Sequence, residues 1–194
     1  MINFLIQKIL NLNITINNIY MNSYGFKILY DRNNYYLCLL NIPKESIVVA
    51  NDCKYRTNKA YVCDIRNIRS CKSKCKVIHQ CFYDNYLITY QIDTYVEAEL
   101  DISKNICAPG IHYFPLTTMV HYVNNYFKNL FIDWENVSII LFLWNIKILY
   151  SNSTITKSTM TNLINAFIGK YDPLTFSMAE KEFMIIYNFV KKDL

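Results

Sequence analysis

Two groupings of cysteine and histidine have residue types and spacings that could do chemistry. Cys107 and His112 frame the run Cys107-Ala108-Pro109-Gly110-Ile111-His112. A thiolate beside an imidazole can act as nucleophile and base, and a Pro-Gly turn can bring residues five apart together. Such a pair also needs a group to orient the imidazole and donors for the developing charge, and no residue stands out for either task. A buried, hydrogen-bonded histidine beside a turn is the competing account. The second grouping, Cys71, Cys75, His79 and Cys81, has ligand types suited to zinc, but its C-x3-C-x3-H-x-C spacing is not that of the common fingers. A strand through residues 76–83 would put His79 and Cys81 on one face, with Cys71 and Cys75 reaching in from a loop. Small reduced thiols in a core or loop are the alternative there. No phosphate-binding glycine loop, nucleophile elbow or paired-carboxylate motif occurs, so no cofactor is implied.

Charge supplies the third grouping. Lys54, Arg56, Lys59, Arg66, Arg69, Lys72, Lys74 and Lys76 crowd into residues 54–76, opposed there only by Asp64. That segment carries +7 against +5 for the whole chain, so the remainder is slightly acidic and the positive potential is local. An anionic partner is one reading, nucleic acid among the candidates, with Tyr55 and Tyr61 interleaved as rings on which bases could stack. The other is a solvated loop around residues 66–76, partly balanced by Asp93, Glu97, Glu99 and Asp101, the last three on one strand face at period two.

The elements that must position these groups change character along the chain. Residues 1–20 suggest a short helix through Ile2, Leu5, Ile6 and Ile9. Ile28 to Tyr30 and Tyr35 to Leu40 flank Asp31-Arg32-Asn33-Asn34 and read as a hairpin. Further strands are expected over Ser46 to Ala50, Ala60 to Ile65, Lys76 to Tyr83, Tyr86 to Ile92, Thr94 to Leu100 and Ile111 to Phe114. A helix opening at Thr117 would line up Val120, Val123, Phe127 and Leu130. In residues 137–150, Trp144, Ile146, Ile148 and Tyr150 alternate with Asn145 and Lys147, which predicts a strand. Met160, Leu163, Ile164 and Phe167 have helical spacing and stop at Gly169. A last helix begins at the capping box Ser177 and Glu180 and carries Phe183, Ile186, Tyr187 and Val190. Strands first and helices later, with no alternation of the two, predict an α+β fold with an antiparallel sheet.

At 194 residues with 53% hydrophobic and 18% charged residues, the chain is expected to fold as one domain over residues 1–194. The joint abundance of Asn, Ile, Tyr and Lys follows A/T-rich codons, which discounts isolated Tyr and Asn as signals. Seven cysteines, an odd number, and a start without a basic n-region point to reduced thiols and an intracellular, cytoplasmic setting. The sequons at Asn13, Asn136 and Asn152 then read as chance matches. The longest apolar run, Val137 to Tyr150, falls short of the roughly 20 residues of a spanning helix, so no membrane span is expected.

Several pieces match, in order and spacing, one uncharacterised domain. They are Tyr24-Gly25-Phe26-Lys27, Leu39-Leu40-Asn41-Ile42-Pro43, Lys54-x-Arg56-x-x-Lys59-Ala60-x-Val62, Tyr83-Asp84 with Tyr90, and Cys107-x-x-Gly110-Ile111-His112-Tyr113-Phe114. Residues about 24–124 resemble a domain of unknown function found in large DNA viruses, phages and some bacteria, sometimes beside pentapeptide repeats; residues 125–194 form a C-terminal extension. The resemblance carries no activity, and the Cys71, Cys75, His79 and Cys81 cluster has no counterpart in it. It shifts weight toward Lys54, Arg56 and Lys59 as ligand-binding residues. The expected function is a non-enzymatic viral interaction module that binds an anionic macromolecule or a host protein. The alternative is an enzyme or nucleotide-sized pocket around His112, Cys107, Lys54, Arg56 and Lys59. Convergence of the cations with His112 in one cleft would favour the pocket, and a spread over a flat face would favour the module.

Overall fold

The computed structural model describes residues 23–31, 34–51, 54–70, 72–80, 87–103, 105, 108–116, 134–153 and 155–168. The expected helices over 1–20, from Thr117 and from Ser177 lie outside these residues, as do Gly169, Cys71, Cys81 and Cys107. Among the described residues nine strands and two helices follow one another, strands first. They are β1 (Tyr24–Asp31), β2 (Asn34–Asn41), β3 (Val48–Asn51), β4 (Lys54–Thr57), β5 (Lys59–Asn67), β6 (Lys76–Gln80), β7 (Leu87–Gln91), β8 (Tyr95–Glu97) and β9 (Ile111–Pro115), then α1 (Trp134–Ser151) and α2 (Lys157–Ile168). The α+β class and antiparallel pairing hold. β1 and β2 pair without interruption from Tyr24↔Asn41 to Asp31↔Asn34, the hairpin that the Asx-rich tetrapeptide predicts. The strand β4 was not anticipated, because its alternating cations read as a solvent-facing charge run.

Seven strands form one sheet in the order β3-β4-β9-β1-β2-β5-β8, and β6 and β7 form a separate hairpin. Successive residues of a strand point to opposite faces, so the sheet has two cores. Phe26, Leu37, Leu39 and Phe114 face one side and pack with Val137, Ile140, Leu141, Trp144 and Ile148 of α1. Leu29, Cys38, Leu40, Val62, Ile65, Ile111 and Tyr113 face the other and pack with Val77 and Tyr90 of the β6–β7 hairpin. Covered on both sides, β2 is buried without a break from Tyr36 to Leu40.

The strand expected over 137–150 is instead the body of α1, and the reason is burial all round. Ile139, Phe142, Leu143, Ile146 and Leu149 are buried as well as the sheet-facing stripe, so little polar face remains to betray the 3.6-residue period. Asn145, which seemed to mark the outer side of a strand, is buried and donates from Nδ2 to the Leu141 carbonyl one turn back (2.8 Å). α2 conforms to its expected spacing, with Met160 and Ile164 buried. Among the described residues no helix is long and apolar enough to cross a membrane.

A polar tie fixes α1 to the sheet. Trp144 Nε1 donates to Asp64 Oδ2 (2.8 Å), and the same carboxylate accepts from Arg66 Nε (2.9 Å) and the Ile65 amide (2.9 Å). Asp64 is therefore not a counter-charge for a surface patch; it joins β5, Arg66 and α1. Gly25 marks a second close contact. A Cβ there would lie 2.3 Å from Tyr113 Cδ2 and 2.9 Å from the Phe114 carbonyl oxygen, so β1 and β9 approach only because residue 25 has no side chain. Gly25→Ala is expected to lower stability by about 1–3 kcal/mol through overpacking. Urea unfolding measures this, and an unchanged midpoint would contradict the packing described.

Candidate functional site

β4 and β9 carry the cations and the histidine that the sequence singles out. They pair through Tyr55↔Tyr113, Arg56↔His112 and Thr57↔Ile111, so Arg56 and His112 project from opposed positions on one face, with Lys54 two residues before Arg56 on the same side. Arg56 is fully buried. Its Nη1 donates to the carbonyls of Asp101 (2.8 Å) and Pro109 (3.1 Å), and its Nη2 donates to that of Ser103. The guanidinium thus ties Asp101, Ser103 and Pro109 to the sheet. A planar fork of donors can serve three carbonyls at once, which a lysine ammonium cannot do in that geometry. Gly110, next in the chain, has φ 138°, and a Cβ on it would sit 2.8 Å from Leu100 Cδ1, so this position requires glycine twice over.

His112 turns back across that bend. Its Nε2 donates to the Ala108 carbonyl (2.9 Å), while Nδ1 is buried and has no hydrogen-bond partner among the described residues. Lys27 Nζ donates to the His112 carbonyl (3.1 Å). Burial, then the charges of Lys54 and Lys27, push the imidazole down to about 3, so it is neutral at physiological pH. The structure therefore brings Lys54, Arg56 and His112 together on one face, while Lys27 of β1 reaches the His112 carbonyl from the other.

Lys59 goes elsewhere. It pairs with Glu97 of β8 (2.9 Å) and lies over the Tyr95 ring, on the wall of a groove of about 560 Å³ that also holds Glu45 and Glu99. The acidic stretch thus meets the basic segment at Lys59, and at Arg56 through the Asp101 carbonyl; among the described residues it forms no ion pair with the loop around 66–76 for which balance was expected.

The proposed zinc set is represented in the described residues by Cys75 and His79. Cys75 is exposed, whereas His79 is buried against the Tyr90 ring and its Nδ1 accepts the Tyr30 amide (3.0 Å). That bond fixes the β6–β7 hairpin to β1 and occupies the lone pair a metal or second proton would need. Burial and the Lys27 charge push His79 down to about 3. No cluster of three metal-ligating side chains occurs among the described residues.

The remaining cations lie between β5 and β6. Arg69, Lys72, Lys74 and Lys76 are all exposed, and no carboxylate among the described residues pairs with them. Their backbone is fixed. Asn67 Oδ1 accepts the amides of Arg69 (3.0 Å) and Ser70 (2.9 Å), and Asn136 of α1 donates to the Arg69 carbonyl (3.1 Å). Residues 72–74 run beside β5 through an Arg66↔Ser73 bridge, with Asn67 N bonded to Lys72 O and Lys74 N to Ile65 O (both 2.9 Å). Ile92 N holds the Cys75 carbonyl (2.9 Å). Sequence reasoning missed this role of Asn67, although an Asn two and three residues before Arg69 and Ser70 is the signature of an Asx turn.

Residues 11–118 match the model of a family of unknown function, DUF5758, over more than half of the chain. The chain belongs to that family. No curated protein and no solved structure matches it. The DUF5758 region takes in Gly25, Arg56, Gly110 and His112, so the β1–β9 approach and the Arg56 clamp lie inside it, as does the cationic connection. α1 and α2 lie beyond it.

Two outcomes follow for the DUF5758 core. Arg56→Lys keeps the charge but not the three-carbonyl fork, and charged hydrogen bonds contribute about 1.5–3 kcal/mol each, so unfolding free energy should drop by about 3 kcal/mol or more. Calorimetry or urea titration checks this. His79 and His112 have folded pKa values below the ordinary 6.5, so the unfolded chain takes up protons the folded one does not. Stability should be fully present above about pH 6.5 and fall with acidification toward pH 3, each imidazole contributing about 1.4 kcal/mol per pH unit. Denaturation between pH 7 and 5 reads this slope, and His79→Gln should reduce it.

Proposed function

We propose that this protein is a non-enzymatic interaction module whose cationic connection, Arg69 to Lys76, engages an anionic macromolecule. The observation that carries this reading is pre-organisation. Four exposed cations without ion-pair partners among the described residues stand on a backbone held by Asn67, by the bridge to β5 and by α1. A loop serving only solubility needs charge but no fixed backbone. An array fixed beforehand loses less conformational entropy when it meets a partner, so more of its electrostatic attraction appears as affinity. The weight moves from Lys54–Lys59, where Arg56 and Lys59 are engaged internally, to residues 69–76. The resemblance to domains of large DNA viruses and the A/T-rich composition support a viral protein acting in a host cytoplasm, as a single α+β domain.

A second reading, a small anionic-ligand pocket at His112, draws support from the placement of Lys54 and Arg56 on the same face. Against it stand the Arg56 fork, directed at three carbonyls, and a neutral imidazole whose unpaired Nδ1 would present a lone pair to an anion.

Retention on immobilised heparin, a sulfated polyanion, separates these readings. The module should elute only at raised salt, and the triple variant Lys72→Ala, Lys74→Ala, Lys76→Ala should elute near the void while keeping its circular dichroism spectrum. Equal retention of wild type and variant would sink the proposal. Binding of a mononucleotide that Lys54→Ala abolishes would favour the pocket.

A further inference from the structure

The chemistry of the cationic connection also bears on which polyanion it takes, an inference that rests on the module reading above. We infer that the partner is a nucleic acid, held through its phosphate backbone without regard to base sequence. Three observations carry this.

The first is side-chain type. Residues 69–76 read Arg-Ser-Cys-Lys-Ser-Lys-Cys-Lys, with three lysines and one arginine and neither an aromatic nor an aliphatic residue. Protein-binding surfaces are depleted in lysine and centre on tyrosine, tryptophan, methionine or arginine anchors in desolvated pockets. Residues 69–76 hold no aromatic or methionine, and their arginine, Arg69, is exposed rather than seated in a pocket. The same absence of rings removes the platform on which unpaired bases stack, leaving the phosphates as the feature recognised.

The second is linear order. Lys72 and Lys74 alternate beside β5, and Lys76 opens β6, where Lys76 and Ile78 are exposed and Val77 and His79 buried. Four residue steps reach at most about 13 Å, and a bend at Cys75 shortens that span. Over that length a double helix offers at most roughly eight phosphate charges. Folded acidic proteins intersperse their carboxylates with cations and do not sustain such a line.

The third is the chemistry of the cations between serines. An ammonium acts as a point charge that accepts any phosphate approach, and the exposed Ser73 hydroxyl is a donor suited to a phosphate oxygen. The exposed Arg69 adds a guanidinium fork, which can bind two oxygens of one phosphate.

Fluorescence anisotropy with two duplexes of unrelated sequence, a single strand and polyglutamate of matched charge tests this across a salt series. Four neutralised phosphates give a slope of log affinity against log salt near −3.6 on duplex, or about 150-fold weaker binding at 200 mM than at 50 mM. The two duplexes should bind equally, polyglutamate at least tenfold more weakly, and each of Lys72→Ala, Lys74→Ala and Lys76→Ala should flatten the slope by about 1. Lys59→Ala, which removes the Glu97 pair and the contact with the Tyr95 ring, should leave binding as it is. Polyglutamate binding as tightly as duplex would overturn the nucleic-acid assignment and leave the module reading standing. A strong preference between the two duplexes would overturn backbone recognition. Binding to none of the four would overturn both.

Discussion

The central strands β1, β2 and β9 must be covered on both faces, and the rest of the architecture answers that requirement. A sheet with one wet face would have alternated polar and apolar residues, but Tyr36 to Leu40 is buried throughout, so each side needs a partner layer. α1 supplies one and the β6–β7 hairpin the other. Directional bonds also hold each layer, among them Trp144 to Asp64 on the helix side and the Tyr30 amide to His79 on the hairpin side. Apolar contact is tolerant of sliding, whereas a hydrogen bond between buried groups is not. Such bonds therefore set where the layers sit, and the hydrophobic contacts set how strongly they adhere.

The same distinction explains how two halves of one charge cluster come to different ends. Lysines and arginines look alike in a composition count, yet Arg56 enters the fold and Lys72 stays outside it. The difference arises from what each backbone neighbour needs. The carbonyls of Asp101, Ser103 and Pro109 lie outside the strands and require donors from somewhere. Arg56 meets that requirement from the opposed strand. The connection after β5 satisfies its own backbone through Asn67 and the Arg66–Ser73 bridge, so its cations have no internal task.

Much of the fold was legible in the residues. Alternation, Asx-rich turns and Pro-Gly breaks located most strands, and i, i+3, i+4, i+7 spacing located α2. α1 was misread because periodicity reports contrast between faces, and a helix buried all round has little. β4 was missed because its alternation is carried by cations and tyrosine, types that signal exposure until a guanidinium is seen with carbonyl partners. The site was legible only as a set of types. The motif glycines and His112 could be recognised as a group, but that Gly25 permits a strand approach and that His112 caps a bend are facts of tertiary distance. Asn67 could have been found from its turn signature, and the pull of the neighbouring charges obscured it.

The register shift between β2 and β5 has a consequence for how this strand pair can vary. Leu39 faces Asp64 and Leu40 faces Val62, so Cys63 is the extra residue of a bulge. Without it, every residue of β5 beyond that point would exchange faces relative to β2. Asp64 would leave Trp144, and Ile65 would leave the hairpin-side core. Cys63 thus works as a phase shifter, and its thiol, pushed up to about 11 by burial, is incidental to that task. Relatives of this chain should accordingly vary freely in the identity of this residue but not in its presence, a pattern set by counting along the strand rather than by side-chain chemistry.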